Sequence, residues 1–235
     1  MWGGWGRSSD FEWLLKDPET YARLTKELVA YVVDNKLDGL DLDWEYPATE
    51  EEKELYGKWI SEMSDLLHAE GKTITVNVHR VSSHFGSLDK SKLDWIHIMS
   101  YDQSKGVNNG YTSTGKSGHY EESLEHLSFW ESEGFEKSQI VLGVPFYGVT
   151  LKDGQSTVNT MTYDKLKIEN IDLDSAVAID DTKNPGLSYF YNGITTMKKK
   201  KKYVQENGYG GIMLWEISQD RTDSLSLLNA IAVDY

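Results

Sequence analysis

The strongest constraint on this chain is the run Asp38-Gly39-Leu40-Asp41-Leu42-Asp43-Trp44-Glu45-Tyr46-Pro47. Acidic and large apolar residues alternate through it at a spacing of two, which is the side-chain period of a β-strand. On such a strand three acids share one face, with neighbouring Cα atoms ~7 Å apart; we call them the acid row: Asp41, Asp43 and Glu45. The apolar residues between them take the opposite face, where covering helices would bury them: Leu40, Leu42 and Trp44.

A row of carboxyl groups on a half-buried strand resists full ionisation. Charges resist leaving water and like charges repel, so we expect at least one member of the acid row to keep its proton at neutral pH. The set should titrate as coupled groups. A carboxyl group that is protonated near pH 7 can act as a general acid, which hydrolysis of a glycosidic bond requires. A surface strand is a poorer interpretation, because Leu42 and Trp44 need a core. A Ca²⁺ loop would need a flexible loop with a Gly at its sixth position and a Glu at its twelfth. Here the residues between the acids are large and apolar, so a Ca²⁺ site is not predicted.

The run resembles the signature Asp-Gly-x-Asp-x-Asp-x-Glu of the family 18 glycoside hydrolases, the chitinase family, which ends the fourth strand of their barrel. Three later segments are similar to the sixth, seventh and eighth strands of that barrel: Met99-Ser100-Tyr101-Asp102, Val144-Pro145-Phe146-Tyr147-Gly148 and Gly210-Gly211-Ile212-Met213-Leu214-Trp215-Glu216. The resemblance covers nearly the whole chain. It implies an α/β fold of the (β/α)8 TIM-barrel type and chitinase activity.

Strand and helix signals alternate along the chain, as parallel βα units require. The predicted strands are Met1–Gly4, Leu37–Glu45, Thr73–His79, Trp95–Tyr101, Ile140–Phe146 and Gly210–Trp215. Helical periodicity marks 21–32, 55–67, 123–133, 195–206 and 224–232. We therefore predict one catalytic domain over 1–235, with a short polar insertion at about 150–187. The five lysines at 198–202 are expected on the solvated surface of a helix.

The start of the chain departs from the family pattern. Trp2-Gly3-Gly4-Trp5 resembles the end of the third barrel strand, so two βα units that would precede it are missing and about six remain. Either the chain is an N-terminally shortened piece, which we favour, or it is a degenerate barrel closed in another way. Open edges at Met1–Gly4 and Gly210–Trp215 would leave strands unpaired. We accordingly expect a monomer, or self-association through those edges.

The resemblance also implies roles for single residues. Glu45 would be the general acid and then the general base. Asp43 would hydrogen-bond the acetamido N–H of the sugar and share a proton with Asp41, and Tyr101 would donate to the acetamido oxygen. Further sugar contacts are expected from six residues: Asp102, Met99, Trp215, Trp5, Tyr46 and Tyr147. No metal or cofactor is expected.

The composition of the chain limits the kinds of molecule that it can bind. The net charge of −14 argues against nucleic acid and anionic membrane surfaces, and is compatible with an uncharged polymer such as chitin or chito-oligosaccharides. No stretch approaches the ~18 apolar residues of a membrane span. The chain has no cysteine and begins without a basic-then-apolar leader, so an extracellular location is implied by the resemblance alone.

Three other functions stay open. Gly110-Tyr111-Thr112-Ser113-Thr114-Gly115-Lys116-Ser117 has the letters of a phosphate-binding loop, but polar loop residues flank it where a strand and a helix are needed. A second alternative is an endo-β-N-acetylglucosaminidase that acts on N-glycans. The third is a catalytically impaired chitin-binding fragment, although Glu45 is present.

Overall fold

The computed structural model of this chain describes residues 1–101, 120–151, 158–171, 175–178 and 188–232. These residues fall into two compact units. The first comprises Met1–Met99 with Phe129–Val141, and the second comprises Ser100–Ser128 with Leu142–Tyr235.

Four parallel strands form the sheet of the first unit, in the order β1-β2-β3-β4. Their bounds are β1 Trp2–Gly3, β2 Gly39–Asp43, β3 Thr73–His79 and β4 Trp95–Met99. Each crossover between parallel strands needs a dozen or more residues, and a helix supplies most of them. The carboxyl ends of these strands therefore meet at one edge of the sheet.

The helices of the first unit are α1 Phe11–Lys16, α2 Pro18–Asp34 and α3 Glu50–Ala69. Helix α2 begins where the Asp17 side chain accepts from the Thr20 N–H, and α3 begins with a capping box between Thr49 and Glu52. A cluster of aromatic rings fills the space between helices and sheet: Trp2, Phe11, Trp44, Tyr56 and Trp59.

Helix α4 Tyr120–Ser132 and strand β5 Ile140–Pro145 contribute residues to both units. The second unit also has helices α5 Ile194–Glu206 and α6 Leu227–Ala232. It contains a five-stranded antiparallel sheet in the order β7-β6-β10-β9-β8. The bounds are β6 Tyr147–Leu151, β7 Val158–Thr162, β8 Leu166–Lys167, β9 Ser175–Ala178 and β10 Ser188–Phe190. The last strand, β11, is Gly211–Trp215 and lies beside β5.

All six strands that the sequence predicts are present as β1, β2, β3, β4, β5 and β11, with ends that differ by up to two residues. The five predicted helices are also present. The short helix α1 and the five antiparallel strands were not predicted. The lysine run differs from the expectation as well, because Lys200 is buried in α5 while Lys198 and Lys199 are exposed. In the part of the chain that the structure describes, no helix is both long and apolar enough to cross a membrane.

Candidate active site

The acid row occupies the carboxyl end of strand β2. Asp41 and Asp43 lie on the strand, and Glu45 follows two residues after its last hydrogen-bonded position. The residues between the acids point into the core, since Leu42 is fully buried and Trp44 stacks on Phe11 with ring centroids 5.1 Å apart. Acidic and apolar residues thus alternate in the sequence as side chains alternate between the two faces of a strand. The three carboxyl groups therefore point away from the aromatic core.

Asp41 is surrounded by hydrogen-bond donors. Thr75 Oγ1 lies 2.6 Å from Asp41 Oδ1, and Asn77 Nδ2 lies 2.6 Å from Oδ2. His97 Nδ1 is 3.2 Å from Oδ1. Burial raises the pKa of Asp41, but the hydrogen bond and charge of His97, together with the other two donors, lower it by more, so the pKa lies below its usual value. Asp41 is therefore a carboxylate at neutral pH.

Strand register explains why these donors meet Asp41. Asp41 pairs with Thr75 across β2 and β3, and Asn77 pairs with His97 across β3 and β4. Paired residues of parallel strands point to the same face, and so do residues two apart on one strand. Three adjacent strands consequently present one continuous polar face at the carboxyl edge of the sheet.

Asp43 has the opposite environment. Its side chain is 4% exposed, and its Oδ1 atom is buried with no hydrogen-bond partner among the described residues. Burial first, and then the negative charges of Glu45 and Asp41, raise the pKa of Asp43 to about 7. The two aspartates are thus unequal: one is stabilised as an anion, and the other holds a proton around neutral pH.

Ser8 fixes the backbone that carries the acids. Its hydroxyl accepts the N–H of Glu45 at 3.0 Å and lies 3.1 Å and 3.3 Å from the carbonyl oxygens of Gly4 and Asp43. Gly3 permits the close approach of β1, because a Cβ atom there would collide with the carbonyl of Asp43 and its φ is +104°. The chain that follows β1 therefore positions the last residues of the acid row.

Tyr46 contacts both the acid and a pair of imidazoles. The Glu45–Tyr46 peptide bond is cis. The pKa of Tyr46 is raised by burial, by the charge of Glu45 and by a hydrogen bond to its carboxylate. The Tyr46 ring stacks on His84 at 5.0 Å and meets the edge of His79 at 5.4 Å. Tyr46 therefore links the acid row to a packed aromatic group.

Both imidazoles beside Tyr46 are neutral at physiological pH. Burial first, and then the neighbouring His79 and Lys53, lower the pKa of His84 to about 3, and neither of its ring nitrogens has a hydrogen-bond partner among the described residues. Burial and Arg80 lower the pKa of His79 to about 4. The two uncharged rings pack against Tyr46 and bring no positive charge to Glu45 at neutral pH.

The other predicted sugar contacts divide between the two units. Trp5 (85% exposed) and the half-buried Met99 belong to the first unit. In the second unit Tyr101 and Tyr147 are both buried, with ring centroids 6.4 Å apart at 75°. Trp215 ends β11 and is 41% exposed, and its carbonyl accepts the Phe146 N–H at 2.7 Å.

The structure therefore brings together the acid row and Tyr46 in one unit, and Tyr101 with Tyr147 in the other. Asp102 and the phosphate-loop-like string at 110–117 lie outside the described residues. Among the residues that the structure does describe, no group of three or more histidine, aspartate or glutamate side chains could hold a metal ion.

Four polar residues of this site were not singled out from the sequence: Ser8, Thr75, Asn77 and His97. A signal for two of them exists in Thr73-Ile74-Thr75-Val76-Asn77-Val78-His79, where polar and apolar residues alternate strictly. That pattern predicts a polar face on the strand next to the acid row. Ser8 lies in a turn and His97 stands alone between two isoleucines, so no local pattern marks either of them.

The family model described as "Glycosyl hydrolases family 18" matches residues 1–220 of this chain. The chain therefore belongs to glycoside hydrolase family 18. Its fold agrees with solved members. It superposes on the chitinase ChiB of Flavobacterium johnsoniae with a TM-score of 0.78, at 25% identity, over 97% of this chain and 71% of that one. For the class V chitinase of Nicotiana tobaccum, solved in complex with NAG4, the TM-score is 0.76 at 20% identity, over 99% of this chain and 79% of that one. The predicted TIM-barrel type is confirmed.

Curated relatives are similar along nearly the whole chain. Endochitinase 1 of Metarhizium robertsii is 26% identical over 96% of this chain and 62% of its own length. Probable chitinase 10 of Drosophila melanogaster is 23% identical over 97% of this chain and 12% of its own length. Chitinase 63 of Streptomyces plicatus is 26% identical over 97% of this chain and 44% of its own length. The chain thus spans less than two thirds of each of these three relatives.

Proposed function

We propose that this chain hydrolyses the β-1,4 bonds between N-acetylglucosamine units of chitin or chito-oligosaccharides, by a substrate-assisted mechanism with net retention. The observation that carries the proposal is the asymmetry of the acid row: Asp41 is held as an anion and Asp43 keeps a proton near pH 7, next to Glu45. Family membership and the chitinase names of the relatives support the substrate class.

The proposed first step breaks the glycosidic bond. The carbonyl oxygen of the sugar's own 2-acetamido group attacks the anomeric carbon while Glu45 gives its proton to the departing glycosidic oxygen. This forms a bicyclic oxazolinium ion. Asp43 accepts a hydrogen bond from the acetamido N–H and stabilises the positive charge, and it shares its proton with Asp41. Tyr101 donates to the acetamido oxygen and orients it for attack.

The second step restores the sugar and the enzyme. Glu45, now a carboxylate, takes a proton from a water molecule, and that water attacks the anomeric carbon as the oxazolinium ring opens. The acetamido group is regenerated, and the product keeps the original configuration because two inversions have occurred. Every bond that breaks is matched by one that forms, and the two steps together consume one water molecule and no oxidant or reductant.

Exposed aromatic rings would hold the polymer by stacking against its sugar rings. Trp215 is proposed as the stacking floor under the reacting sugar, and Trp5 as a platform on the leaving-group side. Asp102, Met99, Tyr46 and Tyr147 are proposed further sugar contacts. The class V chitinase of Nicotiana tobaccum was solved with NAG4, which supports an oligosaccharide of this kind as ligand. An extracellular location is part of the proposal, since the polymer is outside most cells.

The test compares the chain with Glu45→Gln, using fluorophore release from a β-linked chitobioside and chitotrioside. Glu27→Gln is a matched control, because Glu27 lies exposed on α2 of the same unit. We expect Glu45→Gln to lose activity by at least ~10²-fold, since general acid catalysis contributes about that much, and Glu27→Gln to keep it. Equal activity in all three proteins would contradict the assignment of Glu45.

Two other functions within this family can be distinguished from chitin hydrolysis by the substrate that is bound or cleaved. Release of N-glycans from a glycoprotein without cleavage of chitotetraose would indicate an endo-β-N-acetylglucosaminidase. Binding of chitotetraose by a folded protein that cleaves neither substrate would indicate a chitin-binding fragment. Both outcomes would contradict chitin hydrolysis by this chain.

A further inference from the structure

Among the residues that the structure describes, His97 is the one positively chargeable side chain in contact with Asp41, and it reaches that residue from a different strand. Its Nδ1 atom lies 3.2 Å from Asp41 Oδ1, and both side chains are 22% exposed. Register places His97 of β4 beside Asn77 of β3, which itself donates to Asp41 at 2.6 Å. His97 therefore belongs to the polar face that surrounds the acid row.

The contacts of Asp41 are those of an ionised carboxylate. Such a group only accepts hydrogen bonds, and the side chains of Thr75, Asn77 and His97 can each donate one to it. Asp43 has a buried Oδ1 to which none of the described residues donates. A buried oxygen without a donor disfavours the charged form. The positions of the hydrogen-bond donors therefore indicate by themselves that Asp41 is ionised and that Asp43 is protonated.

We propose that His97 is a positioning residue of the acid row: it donates to Asp41 from strand β4 and thereby keeps the shared proton on Asp43, beside the general acid Glu45. The inference rests on the proposed function for its catalytic consequence. It assigns to His97 a role through Asp41 only, because neither residue is placed in contact with the bond that breaks.

Several charged or titratable groups face this pair from the elements around it, and any pH profile combines their effects. They are the amino group of Met1 before β1, Asp43 and Glu45 on and after β2, and Tyr56 on α3. Thr75 and Asn77 of β3 are uncharged donors. Replacing His97 removes a donor to Asp41 and deletes neither a carboxylate nor a ring of the aromatic core.

Loss of the His97 donor should redistribute the proton. A hydrogen bond donated to the ionised form of a carboxyl group lowers its pKa, so loss of the His97 donor should raise the pKa of Asp41. Asp41 then competes with Asp43 for the proton. Because one pKa unit is a tenfold change in proton affinity, we expect kcat to fall roughly tenfold. KM should stay unchanged, since no sugar contact is lost.

The experiment uses His97→Phe, which removes the donor, and His97→Asn, which restores an uncharged one. The control is His68→Phe, because His68 Nε2 pairs with Asp94 Oδ2 at 3.0 Å on the surface of the same unit. Carboxyl-carbon NMR of protein labelled at aspartate follows the titration of Asp41 and Asp43 without substrate. Fluorophore release from a chitobioside, measured against pH, gives kcat and KM. Melting temperatures verify that each variant is folded.

We expect the Asp41 titration to move to higher pH in His97→Phe, with lower kcat, a displaced pH profile and partial recovery in His97→Asn. His68→Phe should match the unaltered chain. An Asp41 titration that is the same with and without His97 would overturn the inference, and so would a shifted titration with an unchanged kcat and pH profile in an active protein. If the unaltered chain releases no fluorophore, the proposed function fails separately, while the titration still decides whether His97 controls Asp41.

Discussion

Replacement of Ser8 by alanine tests how the turn after β1 supports the acid row. The Ser8 side chain is 8% exposed and accepts the N–H of Glu45 at 3.0 Å. The same hydroxyl reaches the carbonyl oxygens of Gly4 and Asp43. Ser8→Ala therefore deprives one amide and two carbonyl groups of a common partner in a part-buried position. We expect the substitution to lower the free energy of unfolding and to displace Glu45.

The magnitude follows from these contacts. A net hydrogen bond contributes about 0.5–1.5 kcal/mol, and a buried polar group without a partner costs about 1–3 kcal/mol. The free energy of unfolding should therefore fall by about 2 kcal/mol. For a chain of this length that corresponds to a decrease of roughly 4–8 °C in melting temperature. Misplacement of the acid should lower kcat roughly tenfold to a hundredfold, with little change in KM.

The neighbouring serine is a matched control. Ser9 is exposed and its hydroxyl lies 3.4 Å from Asp10 Oδ1, so Ser9→Ala changes the same atoms without touching the acid row. Thermal unfolding and steady-state kinetics on a chitobioside should separate the two variants clearly. If Ser8→Ala and Ser9→Ala melt at the same temperature and have the same kcat, the backbone of Glu45 does not depend on Ser8 and this reasoning is wrong.

Two further predictions concern the surroundings of the acid row. Gly3→Ala should destabilise the chain far more than Gly6→Ala in thermal unfolding, since both glycines have positive φ but only a Cβ atom at Gly3 would meet the carbonyl of Asp43; equal melting temperatures would contradict the close approach of β1. His84→Phe should keep the stack on Tyr46 and remove two buried nitrogens that lack partners. The pKa of His84 in the folded protein, about 3, lies below its ordinary value of 6.5, so the folded state loses stability as the pH falls from 6.5 towards 3. The gain in melting temperature from His84→Phe should thus be larger at pH 4.5 than at pH 8, and an equal gain at both would refute the cause given for the shift.

The fold could be predicted where a periodic pattern spans the whole element. Strand β3 has the predicted bounds, Thr73–His79, because polar and apolar residues alternate from its first residue to its last. Helix α3 starts at Glu50, five residues before the predicted start at Leu55, since its first turn carries only exposed or capping residues and no apolar stripe. The capping box of Thr49 and Glu52 was the signal that could have placed that start.

The short elements could not be predicted for a physical reason. Helix α1 has six residues, which is too few for a helical period to repeat. The five antiparallel strands have two to five residues each and are stabilised by pairing with distant strands, as in Tyr147 with Thr162 and Ser188 with Val177. Their residues lie largely in the stretch predicted as a polar insertion. Non-local pairing leaves no mark in a local window of sequence.

In the site too, local patterns could be predicted from the sequence and contacts between distant residues could not. The acid row could be identified because its three members follow one another at a spacing of two, on strand β2 and just after it. The donors of Asp41 come from two other strands, and only the register Asp41 with Thr75 and Asn77 with His97 brings them together. Which aspartate keeps the proton depends on those donors. The sequence predicts a coupled set of acids, and the cross-strand contacts decide how the proton is shared.

Catalysis by Glu45 is tested most directly by the rate of fluorophore release from a β-linked chitotrioside by the unaltered chain and by Glu45→Gln, at equal concentration and with melting temperatures measured on the same samples. We expect clear hydrolysis by the unaltered chain and a loss of at least ~10²-fold in the variant. Equal rates in two folded proteins, or no release by either of them, would contradict it.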